Sequence, residues 1–175
     1  SDYSLLDKMN IQSDAVVVNQ CYKNEVSEFD YKGHKIKWIS MTERGIGLSR
    51  NTGILHSEAD IILFADDDVT YMDDAEQRVI AEFENHPDAD IMIFHLDSDS
   101  ERGQSGYPKT KKCRGVYRMP WGACRIAFKL DSVRKANLWF TTLFGGGCKF
   151  PCGEDSMWLL EARRKNLSIY VSKET

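Results

Sequence analysis

Apolar residues in this chain fall in short runs separated by longer amphipathic stretches. Ala15-Val-Val-Val18, Ile36-Lys-Trp-Ile39, Asp60 to Ala65 and Ile91-Met-Ile-Phe94 read as strands, because brief continuous apolar runs suit buried positions in a sheet. Helical spacing fills the gaps. Ser4 to Asn10 suits a short helix, and Gly47 to Ser57 a longer one with Leu48, Thr52 and Leu55 on one face. Asp73 and Asp74 open a third helix, where the dipole favours acids, and Ala75, Val79, Ile80 and Phe83 point inward. His86-Pro87 ends it. Strand and helix alternating in this way predict an α/β fold with a mixed, mostly parallel sheet flanked by helices.

The pattern changes after the fourth strand. Residues 97–118 are polar, rich in Gly, Ser and Lys, and without a clear period. A loop of that length is a functional lid or a disordered segment. Beyond it, Trp121 to Phe128 reads as a strand, Asp131 to Asn137 as a short helix and Phe144-Gly-Gly-Gly-Cys148 as a loop. Glu154 to Asn166 is a helix and Ser168 to Val171 a last strand. Trp121, Trp139 and Trp158 suit core positions better than a sugar platform, and Lys109 to Arg114 suits a solvated loop. No internal repeat or second boundary is visible, so residues 1–175 are expected to be a single domain.

The third strand ends in Asp66-Asp67-Asp68. Open α/β sheets bind their ligands just beyond the carboxyl ends of strands. Three adjacent carboxylates repel one another unless a cation sits among them, and an all-oxygen set suits Mg²⁺ or Mn²⁺. Plain turn chemistry is the alternative, since Asp is common after strands. The formal charge of −4 argues against electrostatic binding of nucleic acid. Hydrophobic content of 42% and charged content of 29% are ordinary for a soluble domain. No apolar run approaches the roughly 20 residues of a membrane span. Cys21, Cys113, Cys124, Cys148 and Cys152 are odd in number and scattered, which favours reduced thiols in the cytoplasm over disulfides or a zinc site.

Three motifs then stand in order: Glu43-Arg-Gly-Ile-Gly-Leu-Ser-Arg50-Asn51-Thr-Gly53, Phe64-Ala-Asp66-Asp67-Asp68, and Cys152-Gly-Glu154-Asp155-Ser-Met-Trp158. Together they resemble the family 2 glycosyltransferases of the GT-A fold, a Rossmann-like architecture, over roughly Ala15 to Val171. The resemblance implies an inverting enzyme that moves a sugar from a nucleotide donor, with a UDP-sugar favoured, to an acceptor hydroxyl. It implies a metal held by Asp66 and Asp68, with Asp67 or Asp66 touching the ribose. It makes Asp155 the general base and Glu154 the group that orients the acceptor, or the two with roles exchanged. Arg44, Arg50 and Asn51 border the donor, with Arg50 alternatively an ion-pair partner of the acidic turn. The Gly145–Gly147 loop is expected to shape the sugar and acceptor pocket. The acceptor class implied is a carbohydrate or a lipid-linked one, in bacterial surface polysaccharide or glycolipid synthesis, with no nucleic-acid partner. The place of work implied is the cytoplasm, at the inner face of the membrane.

The chain also departs from that pattern. The family's opening strand is not recognisable before Ser4 to Asn10, and Val18-Asn19-Gln20-Cys21 stands where a base-reading Asp is usual. Asn19 or Gln20 is left to meet the base edge. Ala65 stands where Asp is frequent, so Asp66-x-Asp68 is the literal acidic pair. These departures suit a degenerate sugar-nucleotide-binding module without turnover; a nucleotidyltransferase is the other enzymatic alternative, but its usual Gly-rich, Lys/Arg-bearing loop near the N-terminus is not present. The expectation from the missing strand is a truncated catalytic core with weak or no turnover by these 175 residues, which robust turnover would contradict.

Overall fold

The computed structural model describes residues 4–97, 108–113 and 121–174. Two sheets organise them, as a three-stranded sheet in the order β1-β3-β2 and a five-stranded sheet in the order β4-β7-β5-β8-β6. The first holds β1 (Ala15–Gln20), β2 (Glu25–Tyr31) and β3 (His34–Met41). The second holds β4 (Ile61–Leu63), β5 (Ile91–Ile93), β6 (Lys111–Lys112), β7 (Ile126–Lys129) and β8 (Ile169–Val171). The helices are α1 (Ser4–Lys8), α2 (Ile46–His56), α3 (Ala75–Asn85), α4 (Leu130–Lys135) and α5 (Glu154–Arg164).

The mixed α/β class is as expected, with a smaller parallel share than the alternation suggested. Among the strands of the described residues β1–β3 and β5–β8 pair in parallel, whereas β2–β3, β4–β7, β5–β7 and β6–β8 are antiparallel. The cause lies at the start of β7. Phe64 N–H donates to the Ile126 carbonyl at 3.0 Å and Phe94 N–H to the Arg125 carbonyl at 2.8 Å. The chain therefore enters β7 beside the carboxyl ends of β4 and β5, and must run back against both. A 3₁₀ turn at Ala123–Arg125 makes that entry, so the expected strand from Trp121 shrinks to Ile126–Lys129.

Two strands were not expected. β2 and β3 form a hairpin whose turn residues, Lys32 and Gly33, both have positive φ (51° and 88°), the backbone of a tight two-residue turn. β6 comes from the polar 97–118 stretch and pairs with β8, with Lys109, Lys111 and Lys112 exposed. The remainder of that stretch, residues 98–107 and 114–118, lies outside the described residues.

The main core lies between the five-stranded sheet and helices α2, α4 and α5. Phe64, Phe128, Phe140 and Trp158 form its aromatic centre, with Trp158 stacked on Phe140 at 5.2 Å between ring centroids. Trp121 packs on this cluster. Trp139 does not: it is 38% exposed, and its indole N–H donates to Asn137 instead. Ile80 of α3 also faces solvent, while Glu82 is buried and accepts hydroxyl donors from Thr110 and Ser172.

α2 is rotated from its expected face. Gly47 and Ile54 are buried, whereas Leu55 is 62% exposed. The rotation follows from close approach: a Cβ at Gly47 would collide with the backbone carbonyl of Thr141. The inward-facing stripe is thus buried Gly47 and Ile54 with half-buried Arg50 and Asn51, which carries little apolar periodicity. Ile54→Ala should cost about 2–5 kcal/mol, and Leu55→Ser should stay within about 0.5 kcal/mol of the parent. Chemical denaturation checks the pair, and the reverse ordering would return Leu55 to the core.

Candidate active site

Three segments meet beyond the carboxyl ends of β4 and β5. They are the acidic turn after β4, the turn that leads into β7, and the first residues of α5. Asp66 to Val69 close a tight turn through the Val69 N–H, 3.2 Å from the Asp66 carbonyl. Residues 8–12 back this turn from behind. Lys8 Nζ donates to the Asp67 carbonyl at 3.2 Å, Asn10 Nδ2 to the Tyr71 carbonyl at 3.0 Å, and the Tyr71 N–H to the Met9 carbonyl at 3.0 Å.

Arg50 ties the segments together. Its side chain is 9% exposed and reaches Asp66 Oδ1 at 3.4 Å, Glu154 Oε1 at 3.3 Å and, closest of the three, Asp155 Oδ1. The guanidinium also lies over the Phe140 ring, 5.3 Å from its centroid. Asp155 Oδ2 accepts the Ala123 N–H at 3.1 Å, which joins the base candidate to the 3₁₀ turn. Glu154 and Asp155 occupy the first turn of α5, where the unpaired N–H groups favour carboxylates. Glu154 is the more enclosed of the two. Gly145 abuts it, since a Cβ there would lie 2.8 Å from Glu154 Cδ, and Gly145 has φ of 100°. The Gly145–Gly147 loop also closes on α2, whose Ile46 N–H donates to the Gly146 carbonyl at 3.1 Å.

The charges do not balance, because one guanidinium faces three carboxylates. Burial pushes the Asp155 carboxyl above the usual carboxylate range, and the Glu154 and Asp66 charges push the same way. Arg50 and the Ala123 N–H act against this and do not reverse it.

Two further side chains join the site without any signal in the motifs. Burial and the neighbouring Asp66 carboxylate raise the Cys124 thiol to about 11, and Asp68 adds to the effect. Burial, with Cys124 and Asp66 nearby, raises the Tyr71 phenol. Tyr71 follows the acidic turn by a few residues and could have been noticed there. Cys124 had no such cue, because only the turn into β7 brings it close.

The other expected donor residues serve local geometry. Asn51 bonds both backbone groups of Phe140, donating to the carbonyl at 2.9 Å and accepting the N–H at 2.8 Å. Gln20 clamps Gly45 in the same two-way manner, at 2.9 and 3.2 Å. Arg44 donates to the Gln20 and Cys21 carbonyls. Asn19 sits opposite Ser40 in the β1–β3 ladder. These contacts place Gln20 and Arg44 at the start of α2 and Asn51 in its middle against Phe140, and of the expected donor residues Arg50 alone reaches the α5 carboxylates.

Asp66 is half-buried, and Asp67 and Asp68 are exposed. Among the described residues no three His, Cys, Asp or Glu side chains form a ready-made metal cage. Mg²⁺ is commonly held by one or two carboxylates, with water and substrate phosphates completing its shell, and the oxygens of Asp66 and Asp68 fit that mode. Among the described residues no helix is long and apolar enough to cross a membrane.

The raised Asp155 carboxyl has a consequence for stability. A carboxyl whose folded pKa lies above its unfolded value weakens the fold while ionised, and the penalty lifts as pH falls through the folded pKa. Arg50 would keep two carboxylates without Asp155, so it would not be orphaned. Asp155→Asn should therefore raise the melting temperature at pH 7, with the gain shrinking towards pH 4. Melting curves across that range check this, and a lower melting temperature at pH 7 would contradict it.

The model of the family "Glycosyl transferase family 2" matches residues 6–147. Among solved structures, S. aureus TarS 1–349 superposes with a TM-score of 0.68 at 17% identity, covering 97% of this chain and 54% of that one. TarS 1–349 in complex with UDP-GlcNAc gives 0.70 at 17% identity, covering 98% and 51%. S. aureus TarS gives 0.68, with 33% of that chain covered. The chain thus spans about half the length of the TarS 1–349 structures, and the likeness is one of fold, the GT-A fold expected from the motifs. No curated protein matches it. The family model covers most of the chain and includes both the α2 motif and the acidic turn, so this protein belongs to glycosyl transferase family 2.

Proposed function

We propose that this chain carries an inverting sugar-transfer site that uses a nucleoside diphosphate sugar, with a UDP-sugar favoured, and an acceptor hydroxyl. The observation that carries the reading is the joining of Asp66, in the acidic turn, to Asp155, at the start of α5, through one buried arginine. Membership of the family supports sugar transfer. The TarS complex with UDP-GlcNAc supports the donor class.

The chemistry follows from the placement. Asp155 accepts the proton of the acceptor hydroxyl as that oxygen attacks the anomeric carbon, and the nucleoside diphosphate leaves from the opposite face. The raised carboxyl makes Asp155 a stronger base than an ordinary Asp. Arg50 and the Ala123 N–H hold its two oxygens and so fix its orientation. Glu154, buried against Gly145, supports Arg50 and shapes the acceptor side. Asp66 and Asp68 are the residues that would hold Mg²⁺ or Mn²⁺ beside the donor phosphates. When bound, such an ion neutralises charge on the departing diphosphate. Gln20, Arg44 and Asn51 position the β1 end and α2 along the donor. The acceptor class is a carbohydrate or a lipid-linked sugar of surface polysaccharide or glycolipid synthesis, met at the inner face of the membrane.

Melting curves with Mn²⁺ and UDP, GDP, TDP or CMP test the reading. UDP with Mn²⁺ should stabilise the protein, by about 2.7 kcal/mol when the ligand stands at 100 times its Kd. The shift should vanish without Mn²⁺ and in Asp68→Ala. No shift with any nucleotide would overturn the donor site.

A further inference from the structure

Among the described residues Arg50 is the one charged group that touches both the acidic turn and the carboxylates of α5, and its three contacts are unequal. Asp66 lies at 3.4 Å and keeps a side chain 38% exposed, whereas Glu154 and Asp155 are 10% and 20% exposed. Asp155 is the closest partner. The guanidinium is pinned from below by the Phe140 ring, and the next residue, Asn51, is fixed to the Phe140 backbone by two hydrogen bonds. Arg50 therefore has little freedom to follow Asp66, while the Asp66 carboxylate borders solvent.

We propose that Arg50 is a positioning residue that stands in for the cation at Asp66 while the donor site is empty. It relinquishes Asp66 when a divalent ion binds and keeps Asp155 and Glu154. Resting on the metal-assisted reading above, this makes the acidic turn and the base carboxylate compete for one guanidinium. A cation at the turn then leaves Arg50 to Asp155 and Glu154.

The test is the affinity for Mn²⁺ alone, read from the electron spin resonance signal of the free ion, with no substrate present. In Arg50→Met the side chain keeps apolar contact with Phe140 and loses the competing charge. That variant should bind Mn²⁺ about fivefold tighter or more, the lower end of ordinary coupling between sites. Its kcat should fall, because Asp155 has lost a partner. Arg50→Lys, which retains the charge, should bind Mn²⁺ within about twofold of the parent. A folded Arg50→Met that binds Mn²⁺ equally or more weakly overturns the inference and leaves the metal reading intact. No Mn²⁺ binding by the parent or either variant overturns the inference, and the melting curves with Mn²⁺ and UDP then judge the metal reading separately. Should Arg50→Met fail to fold, the guanidinium resonances of Arg50 in the parent decide the matter under Mg²⁺ titration. A shift that saturates supports the exchange, and unchanged resonances at saturating Mg²⁺ overturn it.

Discussion

The guanidinium of Arg50, held by carboxylates from two separate segments of the chain, is the contact on which this site depends. Asp66 is 16 residues away in sequence, and Glu154 and Asp155 are 104 and 105 away. Without a cation between them, these acids would repel one another across the end of the sheet. With Arg50 in place they converge and still carry surplus negative charge. That surplus lowers stability where Asp155 is ionised. It also leaves the region receptive to a positively charged ligand, so local instability and function share one cause.

Around this contact the framework works by close approach more than by apolar packing. Gly47 lets α2 lie against Thr141, and Gly145 lets its loop lie against Glu154. Asn51 and Gln20 each grip a backbone segment with both ends of an amide. Residues 8–12 brace the acidic turn and the residues just after it, with Lys8, Asn10 and Gln12 side chains donating to backbone carbonyls and the Met9 carbonyl accepting the Tyr71 N–H. None of these devices leaves a hydrophobic period. All of them fix where the carboxylates point, which a site for a charged donor requires.

The parts of the site carried by local chemistry were legible in the sequence. Asp66-Asp67-Asp68 after an apolar run and Glu154-Asp155 at a helix start both lie where their composition placed them. Legibility failed where long-range contacts decide. The face of α2 could not be read, because its inward stripe is glycine and half-buried arginine and asparagine as well as Ile54. The partners of Arg50 lie on other elements, and Cys124 reaches the site only because β7 runs backwards. Trp139 was expected inside because of its size, yet its indole finds Asn137 at the surface. β2 and its turn into β3 did carry a local signal, since Ser27, Phe29 and Tyr31 alternate inward ahead of a Lys32-Gly33 turn.

Anomalous diffraction from a crystal soaked in Mn²⁺ and UDP tests the central claim most directly, because it locates the ion and the arginine together. The account predicts one strong Mn²⁺ peak against the carboxylates of Asp66 and Asp68, with the diphosphate beside it and Arg50 still on Asp155. An ion bound elsewhere, or UDP seated away from the acidic turn, would contradict it.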